Sequence, residues 1–182
     1  MKTILYCSVC SGMLSWIKPH GDHISRSVCT HCGEVHYQNP KIIVGCLPVW
    51  QGQVLLCRRA IEPRMGFWTL PAGFMENDET LAQGAGRETE EESCALVDVG
   101  PLFTVMSLPG HNQVHMYFYA TMRSNYFAVT AESSEVQLFD EQNIPWSDLA
   151  FETIRQTLAR YFSDQQKGAL GLHVFDLGRN HD

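Results

Sequence analysis

Four cysteines set the first constraint on the fold. Cys7 and Cys10 form one C-x2-C pair and Cys29 and Cys32 form a second, with eighteen residues between the pairs. Two turns that each present two thiolates complete a tetrahedral sulfur shell around Zn²⁺, and such a shell leaves no coordination position open for chemistry. The spacing therefore predicts a small structural zinc ribbon over residues 1–37. Gly12 and Gly33 lie close behind the pairs, where a tight turn needs a residue that tolerates unusual dihedrals. His20, His23, His31 and His36 share the segment; they could substitute for a ligand or bind a second metal, and the surface of a loop-rich module is their expected place. Cys46, Cys57 and Cys94 bring the total to seven, an odd number that no closed disulfide framework accommodates, and apolar neighbours mark them as small core residues.

A ribbon of that size leaves most of the 182 residues for a second module, and a hydrophobic content of 45% is enough for one sizeable core. Residues 38–165 are expected to form the main domain and residues 166–182 a tail that packs as a short strand or stays loose. The 13 Lys and Arg against 20 Asp and Glu provide no basic stripe, so a nucleic-acid backbone is not the expected partner. No apolar run approaches the roughly 20 residues of a membrane span, and "MKTILYCSVCSG" lacks the long apolar core of a secretory signal, so the expected location is the cytoplasm.

Within the main domain, "KIIVGCLPVW" (41–50) and "QVLLCRR" (53–59) are β-rich runs around a Gly-containing turn and read as a hairpin. "DVGPLFTVMSL", "QVHMYFYATM", "YFAVT" and "EVQLF" add strands. Helices are predicted from about Glu79 to Glu92 and from about Asp148 to Phe162, where Ile154, Leu158 and Phe162 repeat every fourth residue. Strands outnumber helices, which predicts an α/β fold: a mixed sheet with helices on its faces.

The first predicted helix carries an unusual charge. Between Glu76 and Glu92 the chain holds seven acidic side chains and one basic one, a net charge of -6 out of the -7 of the whole protein. Glu88, Glu91 and Glu92 share one helix face because neighbours at i, i+3 and i+4 do. Such a cluster repels itself, and a hard cation with a preference for oxygen, Mg²⁺ or Mn²⁺, is the natural compensation; the alternative is a solvated acidic face. Gly84 and Gly86 each cost the helix roughly 1 kcal/mol relative to alanine, which suggests close approach by a ligand or another segment. Arg87 is placed to hold a neighbouring carboxylate.

The order of these residues resembles the Nudix box, G-x5-E-x7-R-E-U-x-E-E-x-G-U with U a bulky aliphatic. Gly73, Glu79, Arg87, Glu88, Glu91 and Glu92 match; Thr89, Cys94 and Ala95 depart from it. Together with "HYQNPKIIVGCLPVW", "LLCRRAIEP", "GFWTLPAGFME" and "ESSEVQLFDEQNIPWSDLAFETI", the four-cysteine segment is similar to the zinc-ribbon branch of the Nudix hydrolases, which includes FAD and ADP-ribose diphosphatases. The resemblance covers about Cys7 to Phe162.

It implies a Nudix-type α/β/α sandwich and Mg²⁺- or Mn²⁺-dependent hydrolysis of a pyrophosphate in a dinucleotide or ADP-linked small molecule, releasing AMP. By the same resemblance, Glu88, Glu91, Glu92 and the carbonyl of Ala72 are ligands of the catalytic metal, Glu79 supports the site, and Arg87 orients Glu88 or Glu91. A general base on the later "AESSEV" loop points to Glu135, with Glu132 beside it. Arg59 and Arg64 are available for phosphates, and Phe67, Trp68, Phe74 and Tyr117 for stacking on a flat ring. FAD and ADP-ribose lead the expected substrates. NADH ranks below them because NADH pyrophosphatases carry S-Q-P-W after the box and this chain reads "VMSLPGHNQ"; Pro109 lies near the place where ADP-ribose hydrolases carry a proline. A homodimer is the expected assembly. The competing class is a non-catalytic regulator in which ribbon and box bind nucleic acid, opposed by the complete set of box carboxylates and by Lys2, Lys18 and Arg26 as the only fixed cations of the ribbon.

Overall fold

The computed structural model describes residues 4–178. It divides into two compact units, one up to Asn39 and one from Pro40 onward. Among the described residues no helix is long and apolar enough to cross a membrane.

The first unit is a three-stranded antiparallel sheet in the order β1 (Leu14–Ile17), β2 (Arg26–Cys29), β3 (Val35–His36). Its apolar interior is minimal: among the described residues Cys7, Val28 and Cys29 are the buried hydrophobic ones, while Leu5, Tyr6, Val9, Met13 and Trp16 are exposed. Gly33 takes the positive φ expected of it, at 77°. Gly12 does not; Ser11 carries the left-handed turn at φ 60°, and Gly12 is needed because a Cβ there would press on His31 and on the sulfurs of Cys29 and Cys10.

The second unit is built on a mixed sheet. Its strands are β4 (Lys41–Trp50), β5 (Gln53–Arg59), β6 (Trp68–Thr69), β7 (Ala72–Phe74), β8 (Val97–Leu108), β9 (Gln113–Met122), β10 (Ser133–Phe139) and β11 (His173–Asp176), with the helices α1 (Leu81–Ser93) and α2 (Glu152–Lys167). The main path is β10-β5-β4-β9-β8-β11, with β6 paired to β5 and β7 to β4. The predicted hairpin exists only at its tip, where Val49 faces Val54 and Trp50 faces Gln53 across a turn with Gln51 and Gly52 both at positive φ. Beyond that point β7 takes the place of β5 beside β4, because Gly45 opposite Ala72 leaves room for the inserted backbone.

Both faces of the sheet are covered. Val44, Cys46, Phe118 and Ala120 pack with Ala85 of α1, and Leu47, Phe103 and Tyr117 pack with Ile154, Leu158, Tyr161 and Phe162 of α2. The alternation along β9 thus feeds two cores, giving the α/β/α sandwich. Helix α1 starts at Leu81 because Thr80 caps it in a capping box with Gln83. Helix α2 starts later than its periodicity suggests, since Trp146–Asp148 forms a separate 3-10 turn after Pro145; it runs on to Lys167 and stops at Gly168, φ 72°. "YFAVT" forms no strand. The segment after α2 supplies β11, which adds in parallel to β8.

Candidate active site

In the ribbon, the ligand atoms of Cys7, Cys10, Cys29 and Cys32 all lie within 4.8 Å of one another. The Cys7–Cys32 and Cys10–Cys29 sulfurs are 3.7 and 3.4 Å apart. A tetrahedral ion with Zn–S bonds of about 2.3 Å needs sulfurs about 3.8 Å apart, so the set fits zinc. Backbone N–H groups of Val9, His31 and Cys32 point at the sulfurs, and His36 Nε2 lies 3.3 Å from Cys7 Sγ. Burial raises the Cys7 thiol, but hydrogen bonds from the Cys10 and Val9 backbone, His36 and Cys32 outweigh it and hold the group down to about 6, toward the thiolate a metal requires.

The second site grows from the β7–α1 connection. Arg87 is its hub: Nε and Nη2 donate to the two oxygens of Glu79 at 3.0 and 2.8 Å, and Nη1 donates to Glu88 at 2.8 Å and Glu91 at 3.0 Å. Nη2 also reaches the carbonyl of Phe74 at 3.3 Å. Glu79 further accepts from the Glu76 backbone N–H at 2.7 Å. Its carboxyl is lowered to about 2, mainly by Arg87. Glu92 lies behind this cluster, 8% exposed, and accepts from the Ala72 backbone N–H at 3.3 Å. Burial, with Glu88 next, pushes its acid up to about 8; burial also raises Glu88 against the pull of Arg87. The three carboxylates share a face as expected, yet do not meet at one point: Glu88 and Glu91 turn to Arg87, and Glu92 turns to Ala72. A buried and a half-buried acid that resist ionisation are what a divalent cation would stabilise, since it replaces the solvation that burial removes.

Close packing explains the glycines. A Cβ at Gly73 would overlap the Glu88 carboxylate, and one at Gly84 would stand 2.6 Å from Glu79 Oε1 and 2.9 Å from Val44 Cγ2.

A cavity of about 630 Å³ opens beside these groups, on the sheet face that α2 covers. Ala72, Gly73 and Phe74 belong to its wall, as do Arg59, Arg64, His115, Tyr117 and Thr153. The β ladder places His115, Ile43 and Phe74 in one row and Tyr117, Gly45 and Ala72 in the next. Gly45 contributes no side chain to the second row.

Comparison with known proteins agrees with this geometry. The NUDIX domain profile matches residues 39–162, and a profile described as Nudix N-terminal matches residues 5–38. The chain belongs to the Nudix hydrolases. A crystal structure of a Nudix hydrolase from Nitrosomonas europaea is 48% identical, superposes with a TM-score of 0.94, and covers 97% of this chain and 100% of its own. An ADP-ribose pyrophosphatase of Methanocaldococcus jannaschii is 28% identical over 64% of this chain and 70% of its own length. An NAD-capped RNA hydrolase of Yersinia enterocolitica is 35% identical over 48% of this chain, a match that spans only 32% of that relative. Nudix hydrolases require a divalent metal.

The departures from the Nudix box have local explanations. Cys94, in place of the box glycine, caps α1 in the left-handed region at φ 56° and donates its N–H to Glu90 O. Thr89, in place of an aliphatic, is fully buried and donates its hydroxyl to Ala85 O at 2.8 Å, and Ala95 is fully buried beside Leu55 and Met122.

The Nudix unit sorts the other candidates. Arg59, Arg64, Phe74 and Tyr117 line the cavity. Arg59 stacks over Phe151, 5.5 Å to the ring centroid, and donates to Pro63 O; Arg64 stacks over Phe67. Trp68 is placed elsewhere, packed edge-on against Phe139 in the α2-side core. Glu135 is tied to Arg58 at 2.5 Å, because a bulge between Ser133 and Glu135 sets it opposite that arginine. Glu132 is the loop carboxylate whose charge reaches Glu88 and Glu92. His115 and Thr153 escaped the sequence reading, since a histidine within an alternating strand and a threonine at a helix start look like ordinary packing residues.

Proposed function

We propose that the protein is a divalent-metal-dependent pyrophosphatase that splits ADP-linked small molecules, ADP-ribose or FAD, into AMP and the phosphate of the second moiety. The observation that carries this reading is the shared wall: Ala72 and Gly73 border the cavity while Ala72 N holds Glu92 and Gly73 makes room for Glu88. A cavity of this volume lies in the range of small-molecule sites, about 300–1,000 Å³. The M. jannaschii relative named an ADP-ribose pyrophosphatase supports the substrate class. The Yersinia relatives favour a second reading, an NADH- or NAD-type substrate, which shares the ADP half.

Glu88, Glu91, Glu92 and the Ala72 carbonyl would hold the cation, which when bound supplies positive charge that neutralises the pyrophosphate oxygens and the charge developing in the transition state. Arg87 fixes Glu88 and Glu91, and Glu79 fixes Arg87 from the other side. Arg59 and Arg64 face the phosphates, while Tyr117 and Phe74 offer flat apolar surface to a ring. Attack by water forms one P–O bond and breaks the anhydride P–O bond. The proton passes to a carboxylate, and Glu132 is favoured over Glu135 because the Arg58 pair lowers the availability of Glu135.

A substrate panel tests the reading. FAD, ADP-ribose, NADH, diadenosine polyphosphates and the common triphosphates are compared by kcat/KM with Mg²⁺ and with Mn²⁺. ADP-ribose or FAD should lead; a clear preference for a triphosphate would overturn the substrate assignment while leaving the family intact.

A further inference from the structure

Two polar side chains in the cavity have no role in the metal chemistry. His115 on β9 is 9% exposed, and its Nε2 pairs with Gln113 Oε1 at 2.9 Å while Nδ1 has no hydrogen-bond partner. Thr153, in the first turn of α2, is 2% exposed, and its Oγ1 lies near the Tyr117 hydroxyl without a hydrogen bond of acceptable geometry. Among the described residues these are the two buried side-chain nitrogen or oxygen atoms with no partner, and both residues line the same cavity. Leaving such a group unpaired carries the full cost of its desolvation, so two in one cavity point to a ligand that satisfies them. Helix α2 starts there without a side-chain cap, since Phe151 is its N-cap.

The hydrogen-bond polarity follows from the contacts. Burial lowers the His115 ring to about 4, so it is neutral near pH 7. With Nε2–H given to Gln113 Oε1, Nδ1 keeps its lone pair and is the unpartnered ring atom of a residue that lines the cavity. The Thr153 hydroxyl both donates and accepts.

We propose that His115 Nδ1 and Thr153 Oγ1 form a specificity site, in which Nδ1 accepts from an N–H or O–H group of the substrate and the threonine hydroxyl donates to an adjacent acceptor. The adenine edge, with its exocyclic amine beside a ring nitrogen, has that pattern; so do neighbouring ribose hydroxyls. The site rests on the reading of the cavity as the substrate pocket. It selects which half of an ADP-linked molecule is held, independently of the cation.

Ligands that carry no pyrophosphate, tested without added divalent cation, isolate it from turnover and leave the ribbon metal in place. Calorimetry on the full-length protein uses AMP, purine riboside 5′-monophosphate, which lacks the amine, and ribose 5-phosphate. His115→Leu should weaken AMP binding by about tenfold or more, with His115→Asn, which returns an acceptor near the Nδ1 position, retaining much of it. Thr153→Val, nearly isosteric, should weaken the same ligand. If the amine is the donor, purine riboside 5′-monophosphate binds weakly to the wild type and is insensitive to His115→Leu; if a hydroxyl is the donor, all three ligands lose affinity together. Thermal melts confirm that the variants are folded, and Thr153→Val carries the test should His115→Leu fail to fold. Unchanged affinity for all three ligands in a folded variant overturns the proposal, as does the absence of AMP and ribose 5-phosphate binding to the wild type at millimolar concentration. An active enzyme with such a result would leave the pyrophosphatase reading standing. An inactive enzyme that still binds AMP through His115 would do the reverse.

Discussion

At the scale of single residues, Glu92 and Glu79 show how one short segment sets opposite pH responses. Glu92 is raised from an ordinary 4.5 to about 8 by burial, so the folded protein keeps it protonated where the unfolded chain has already ionised it. Its contribution is therefore complete below about 4.5 and is lost as pH rises toward 8. Glu79 is lowered to about 2 by Arg87, so its contribution is present above 4.5 and is lost as pH falls toward 2. We predict that, without added divalent cation, the melting temperature of the wild type falls relative to Glu92→Gln between pH 5 and pH 8. Added Mg²⁺ or Mn²⁺ restores the wild type at pH 8 but not the variant. A difference between the two proteins that stays flat across this range would exclude Glu92 as a buried acid, and metal rescue of both would exclude it as a ligand. Six of the nine defined box positions matched directly in the sequence, because carboxylates and a guanidinium that share one helix face must recur at fixed spacing. The environments of these groups were not legible there, since burial depends on strands from elsewhere in the chain.

At the scale of elements, α1 contains two glycines that helix propensity treats alike and packing separates. Each costs an exposed helix interior roughly 1 kcal/mol relative to alanine. At Gly84 an added Cβ collides with Glu79 Oε1 and Val44 Cγ2, whereas at Gly86 its nearest neighbour is Val99 Cγ2 at 3.4 Å. Gly84→Ala should therefore destabilise the protein and reduce kcat by disturbing the Glu79–Arg87 pair, while Gly86→Ala should be neutral or stabilising by up to about 1 kcal/mol. Chemical denaturation of the two variants decides this, and a gain of stability in Gly84→Ala would show that the contact yields easily. The strand elements carry the same lesson. Residues 41–50 and 53–59 were recognisable as strands, but β7 displaces most of the hairpin, and a bulge of one residue turns Glu135 toward Arg58. Neither event leaves a periodic signal.

At the scale of the whole molecule, the two units differ in what holds them together. The second has two cores against the faces of one sheet. The first buries only Cys7, Val28 and Cys29 among its described apolar residues, too little for an independent fold of about 40 residues. Zinc held by the four cysteines would supply stability there, since binding free energy is folding free energy in such modules. The purified protein should contain about one zinc per chain. Cys29→Ser should lose it and release the ribbon to proteolysis, while the second unit still melts cooperatively. Protein purified without chelator and free of zinc would remove this claim.

The sequence alone determined the candidate metal ligands and the class of fold: thiolates in two C-x2-C pairs, carboxylates spaced along one helix turn, and apolar runs with the period of strands. These are local, because a metal ligand set or an amphipathic period is written in neighbouring residues. Tertiary structure decided what distant segments make together. It brought Ala72 N to Glu92, aligned Tyr117, Gly45 and Ala72 across three strands, took Trp68 into the core, and lined a cavity with a histidine on β9 that has one ring nitrogen unpartnered and a threonine at the start of α2. Burial and hydrogen-bond satisfaction arise only when segments far apart in the chain pack together, and specificity depends on them.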